Sequence, residues 1–145
     1  MKSLVIALIL ISTFVISGCA PAEEAREEVL EEMKITSACL TMLTVDIDPT
    51  YTYYDSTKGE LSVKINRGHR DEEMIGFKLT IESDRGNSKE ITVREVMGPE
   101  EERTFIFTDE VKDLGWFPDS ISVKPIVKIS GKEIECETGH SSRLY

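Results

Sequence analysis

Glutamine is absent from the 145 residues, and asparagine occurs only at Asn66 and Asn87. Few amides beside abundant Glu, Lys and Arg is the balance shown by proteins adapted to heat. Histidine is nearly missing as well, with only His69 and His140. Two distant histidines do not make a zinc site, so no cofactor is expected. Positive charge is outnumbered, 17 basic residues against 27 acidic ones, for a net charge of −10. A field of that sign repels nucleic acid and anionic headgroups, which excludes a nucleic-acid partner. No apolar run reaches the ~20 residues that a comfortable membrane-spanning helix needs. The length bounds the chain to one domain, large enough for one sandwich-sized core.

The longest apolar run is Leu4–Ile16, behind a single basic residue, Lys2. It has the length of a signal-peptide core. It ends in Ile16-Ser17-Gly18-Cys19. Small residues before a cleavage point let the chain lie extended in a peptidase groove, and a thiol just past it can carry a lipid through a thioether. The stretch resembles the lipobox of prokaryotic lipoproteins. The resemblance implies removal of residues 1–18, lipidation of Cys19 and a lipid anchor on the extracytoplasmic side of the cell membrane. Two acyl chains hold a protein stably where one is marginal. An uncleaved signal anchor, or an ordinary cleaved signal, is the alternative. No twin arginine precedes the run, so the general secretion route is expected.

With Cys19 used by lipid, Cys39 and Cys136 remain, an even pair outside the reducing cytoplasm. A bridge between them is expected to tie the first strand of the domain to the last. The alternative is two unpaired buried thiols.

Residues 19–36 are expected to be a lipidated N-terminus and acidic helical spacer. Ala22, Ala25, Val29 and Met33 recur at helical spacing among six glutamates. Like-charge pairs four apart, such as Glu23/Glu27 and Glu28/Glu32, weaken an isolated helix. Acids at its start and Lys34 at its end suit the helix dipole.

From residue 37 to residue 138 the period changes to two. Leu43, Val45 and Ile47 alternate with Thr44 and Asp46. Leu61, Val63 and Ile65 alternate with Ser62 and Lys64. Similar runs occupy Ile75–Ile81, Ile91–Val93, Thr104–Thr108, Ile121–Ile129 and Ile134–Cys136. Such alternation marks half-buried antiparallel strands. Turn signals separate them, among them Arg85-Gly86-Asn87, Phe117-Pro118-Asp119 and Ser130-Gly131. The expectation is an all-β, seven-stranded immunoglobulin-like antiparallel sandwich. Pro125 predicts an edge or a bulge. Trp116 lies before a strand and is expected to plug one end of the core. Residues 139–145 read as a frayed C-terminal tail.

Glu60–Asn66, Met74–Glu82 with Gly76-Phe77, and Phe117–Cys136 with Pro118 look like the small extracellular β-sandwich domains of archaeal surface proteins. These are related in pattern to the adhesion-type domains called CARDB, and the likeness covers about residues 39–137. It implies a cell-surface binding or scaffolding module without catalysis, and it carries over no site residues.

His69-Arg70-Asp71 copies a kinase catalytic-loop triplet, but Gly76 stands where that pattern wants Asn. It reads as a charged loop. Gly139-His140-Ser141-Ser142 places a base beside two hydroxyls, yet nothing orients the base, so no catalytic residue is assigned. Asp46, Asp48 and Asp55 are weak Ca²⁺ candidates, weighed against a solvated acidic face. Tyr51, Tyr53 and Tyr54 crowd one predicted loop. Exposed tyrosines offer amphipathic contact area to a surface protein or a glycan, against the alternative that one or two fold over the sandwich end. They are the first candidates for binding. The expected function is a membrane-anchored, non-catalytic display module. The alternative is an accessory subunit, or a chaperone that uses an open sheet edge by strand addition.

Overall fold

A computed structural model describes residues 21–41, 45–69, 73–137 and 139–144. The signal segment, Cys19, and Arg70 and Asp71 lie outside the described residues. Two compact units divide the chain at Lys34/Ile35.

The first unit contributes helical residues, the opening part of α1 (Pro21–Thr41). Pro21 suits the first helical position, where a missing N–H costs nothing. The helix outruns the expected boundary at residue 36. Its last turn holds no basic residue, so Lys34 sits inside it rather than at its end. The second unit begins with the final turns of α1, and there Cys39 packs against the domain core. Tertiary packing and a covalent bond extend a helix that local propensity would have ended sooner.

Nine strands follow among the described residues: β1 (Val45–Ile47), β2 (Tyr53–Asp55), β3 (Glu60–Arg67), β4 (Met74–Glu82), β5 (Ser88–Val93), β6 (Glu102–Phe107), β7 (Ser120–Ile129), β8 (Lys132–Glu135) and β9 (His140–Arg143). The count exceeds the expected seven, and the two additions are short. β2 forms where a tyrosine loop was expected, and β9 where a frayed tail was expected. Each continues a column already started. β1 and β2 pair with different stretches of β3, residues 65–67 and 60–62, while β6 pairs across both from the other side. β8 and β9 likewise share the edge of β7 opposite β4.

Both sheets are antiparallel. One reads β1/β2, β3, β6 and the other β5, β4, β7, β8/β9. Taken as columns in chain order, the first sheet holds the first, second and fifth. The second holds the fourth, third, sixth and seventh. Alternate residues of both sheets meet in one core. Leu61, Val63 and Ile65 come from β3, Phe77, Leu79 and Ile81 from β4, and Ile121, Val123 and Val127 from β7. Phe77 and Phe105 join the sheets edge to face, with ring centroids 4.8 Å apart.

Pro125 lies in β7, which has neighbours on both sides, so it does not mark an edge. Its carbonyl accepts from the Cys136 amide at 3.0 Å. A strand residue's N–H and C=O point the same way, so the missing donor faces the break between β8 and β9. The other half of the expectation, an irregularity at this point, is what allows a proline here. Opposite, the β4–β7 register shifts between Met74 and Gly76. A Cβ on Gly76 would collide with the Val93 carbonyl, so only glycine allows that approach. The Ser130-Gly131 hairpin is a two-residue turn with both φ positive, +50° and +82°.

Cys39 and Cys136 are joined, with Cα atoms 5.3 Å apart and a sequence separation of 97. The bridge ties α1, not a first strand, to the residue after β8. Cys136 is fully buried. Closing so long a loop removes unfolded-state entropy, ~4–5 kcal/mol in the chain-entropy model.

Candidate binding cleft at one end of the sandwich

The chain from Thr108 to Asp119 crosses one end of the sandwich between β6 and β7. Its first part is a helical turn, in which the Lys112 and Val111 amides donate to the Thr108 carbonyl at 3.0 and 3.3 Å. Val111 and Leu114 anchor it in the core. Gly115 then takes a left-handed φ of +65°, which an L side chain would strain. The reversal sets two adjacent aromatics on opposite sides. Trp116 packs against the core, as its expected role as an end plug requires, while Phe117 is 73% exposed. The Asp119 amide donates to the Glu82 carbonyl at 2.8 Å and fastens this segment to the end of β4.

Beside it stands the β4–β5 turn, Ser83–Asn87. The Ser83 hydroxyl oxygen accepts from the Arg85 amide (3.3 Å), the Asn87 amide (3.1 Å) and the Asn87 Nδ2 (3.2 Å). The Ser83 amide donates to the Asn87 carbonyl at 2.9 Å. Gly86 supplies the positive φ, +81°. One hydroxyl thus gathers three donors across the turn, and Asp84 and Arg85 are exposed. Between turn and aromatics lies a cleft of about 460 Å³, lined by Ser83, Asp84, Arg85, Asn87, Gly115, Trp116 and Phe117.

The three candidate tyrosines part company. Tyr54 is half-buried and turns toward this end, its ring edge-on to Phe117 at 6.5 Å and 86°. Tyr51 and Tyr53, 57% and 45% exposed, lie elsewhere. Tyr53 is opposite Ser62, which is opposite Ile106 on β6. Ser62 is 4% exposed between these two exposed neighbours. The Tyr51 ring lies 4.7 Å from the Lys64 ammonium. Lys64 also meets Glu102 at 2.9 Å and Asp48 at 3.6 Å. The Glu102 carboxylate, then Asp48, hold its pKa above the ordinary lysine value.

The aspartates are not gathered either. Asp46 is exposed on β1. Asp48 accepts from the Thr50 amide at 3.0 Å and pairs with Lys64. Asp55 closes the β2–β3 turn, taking the Thr57 hydroxyl at 2.6 Å and the Thr57 amide at 2.9 Å. The Thr57 hydroxyl, before any other cause, holds its carboxyl below the ordinary value. Among the described residues, no group of three potential metal ligands forms.

His140 is not in a loose tail. Its Nδ1 accepts the Ile47 amide at 3.2 Å, so it links β9 to β1 across the two sheets. His69 is exposed after β3.

Phe117, Arg85 and Asn87 stand out in the sequence only as turn residues, and Asp84 does not stand out at all. The signal for Phe117 was present: an aromatic between Gly115 and Pro118 has no strand to bury it.

No family model matches the chain, and no curated protein matches it. Among solved structures, a bacterial immunoglobulin-like domain from the M. primoryensis ice-binding adhesin is similar, with a TM-score of 0.43 and 16% identity over 70% of this chain and 93% of that one.

Proposed function

We propose that the chain is a membrane-anchored extracytoplasmic lipoprotein that displays a non-catalytic, immunoglobulin-like binding module. Its ligand is held at the Trp116–Phe117 cleft. The observation that carries the reading is the pairing of an exposed aromatic with a turn already held in shape. Exposing Phe117 to water has no structural benefit, and a preordered polar turn beside it lowers the ordering cost of binding.

The column order supports the immunoglobulin-like reading. It is a Greek-key sandwich in which the fourth column has moved beside the third, away from the edge it takes in constant-type domains. The Cys39–Cys136 bridge supports an oxidising compartment. Ile16-Ser17-Gly18-Cys19 supports the anchor. The cleft's one hydroxyl, that of Ser83, already accepts three hydrogen bonds that shape the turn.

Strand addition is the second reading. β5 and β6 each pair on one side only among the described residues, and a groove of about 420 Å³ lies between them. Both strands are six residues long and carry charges. Arg103 of β6 pairs with Glu95 at 2.8 Å beside the groove. Short, charged edges discourage pairing with another chain, which favours the cleft.

Intact mass of the native protein from a membrane fraction tests the anchor. The expected species begins at Cys19, carries added lipid mass and gains two hydrogens on reduction. A species that keeps residues 1–18 without lipid sinks the lipoprotein reading. For binding, the full chain is expected to adsorb to native cell envelope, and Phe117→Ala to lose that adsorption.

A further inference from the structure

We infer that the cleft takes a neutral glycan residue with adjacent hydroxyls, an inference that rests on the cleft being the module's binding site. A pyranose ring has a C–H face and a rim of hydroxyls. The cleft offers both complements. The Phe117 ring is open to solvent and is held in orientation by Tyr54, so a C–H face can lie against it.

The rim groups are balanced. Asp84 brings a carboxylate that accepts, and Arg85 a guanidinium that donates. Asn87 commits its Nδ2 to Ser83, which fixes the amide and leaves its Oδ1 as an acceptor. Among the described residues neither Asp84 nor Arg85 is in an ion pair. Both charges are therefore exposed in the unliganded protein and available to hydroxyls, which can accept from one and donate to the other.

The balance also discriminates. The charged lining residues are Asp84 and Arg85, so the cleft is neutral on a chain of net charge −10. An anionic ligand meets Asp84 and the field of the whole molecule. A purely apolar ligand would strip water from Asp84 and Arg85 without replacing its hydrogen bonds. A neutral polyol with one apolar face avoids both costs.

Trp116 is the chain's only tryptophan, so its emission reports on this cleft without a label. Full-length protein in detergent is titrated with maltohexaose and with cellohexaose, whose residues keep adjacent hydroxyls at C2 and C3. In parallel, the same protein is bound to native envelope before and after periodate, which cleaves adjacent diols. At least one oligosaccharide is expected to shift the emission saturably, or periodate to abolish the envelope binding. Phe117→Ala is expected to weaken binding about tenfold, the scale of one lost aromatic contact. Asp84→Asn and Asn87→Ala should each weaken it several-fold, with far-ultraviolet circular dichroism unchanged. Phe117-dependent envelope binding that survives periodate and is lost on protease treatment overturns the glycan in favour of a peptide, and leaves the binding module standing. Sugar binding indifferent to all three substitutions overturns the site. No Phe117-dependent binding of any kind removes both the glycan and the module.

Discussion

Tyr51–Tyr54 and the Trp116–Phe117 cleft are opposites. The first is dense in sequence and dispersed in space. Tyr51 reaches Lys64, Tyr53 covers Ser62, and Tyr54 turns toward the end of the core. The second is scattered in sequence, over residues 83–87 and 115–117, and gathered in space. The reason is the period of a strand. Tyr53 and Tyr54 are neighbours in β2, so they must point to opposite faces. Trp116 and Phe117 are also neighbours, but Gly115 and the anchored turn before them direct one inward and leave the other at the rim of a pocket. Aromatic density along a chain therefore says little about a surface patch until strands and turns are assigned.

The largest expected effect falls on the frame that both regions share. Replacing both bridge cysteines, Cys39→Ser with Cys136→Ser, should lower stability by ~4 kcal/mol in denaturant titration. Trp116 emission in the folded protein should stay as it was, since the cleft is shaped by other contacts. A changed emission would mean that the bridge also orders the cleft.

Next is the residue that links the two regions. Tyr54→Ala removes a half-buried ring and the support of Phe117, and should cost about 2 kcal/mol. Ligand binding should weaken with it, whereas Tyr54→Phe should keep both. If Tyr54→Ala leaves binding intact, Phe117 holds its position without help.

Ser83→Ala comes third. It deletes one hydroxyl that accepts three hydrogen bonds, for about 1–2 kcal/mol by thermal melting. Its effect on binding should exceed that of Tyr51→Ala or Tyr53→Ala, each of which should leave binding unchanged. Equal losses from the tyrosine variants would restore the tyrosine cluster as the binding patch.

The smallest effect concerns pH. The Asp55 carboxyl is held below its ordinary value of 3.8, first by the Thr57 hydroxyl. A lowered carboxyl pKa favours the folded state at pH above the unfolded value, and that contribution disappears as pH falls through the folded value. The melting-temperature gap between the native chain and Asp55→Asn should therefore be widest at neutral pH and close below about pH 4. A gap that stays constant down to pH 2 would show that the turn does not depend on the ionised form.

Much of the fold was legible because apolar alternation is a local signal with a physical cause. Val63, Phe77, Leu79 and Val123 face the core where the pattern put them. The short additions were not legible. β2 reads as a loop because Tyr53-Tyr54-Asp55 has no alternation long enough to register. β9 reads as a tail because His140-Ser141-Ser142-Arg143 is polar throughout. It is a strand only because β7 offers it an edge. The cleft was less legible still. Trp116 could be placed at a core end, but a turn such as Arg85-Gly86-Asn87 gives no hint of what stands opposite it.

By itself the sequence determined the alternating strands, the tight Ser130-Gly131 hairpin, the acidic character and the cysteine pair, since each follows from residues close in the chain or from composition. Only the tertiary structure decided that Cys39 is helical, that Pro125 faces a broken edge, and that Phe117 meets Ser83–Asn87. Those three depend on which segments become neighbours, and that is set by burying one common core rather than by any local preference.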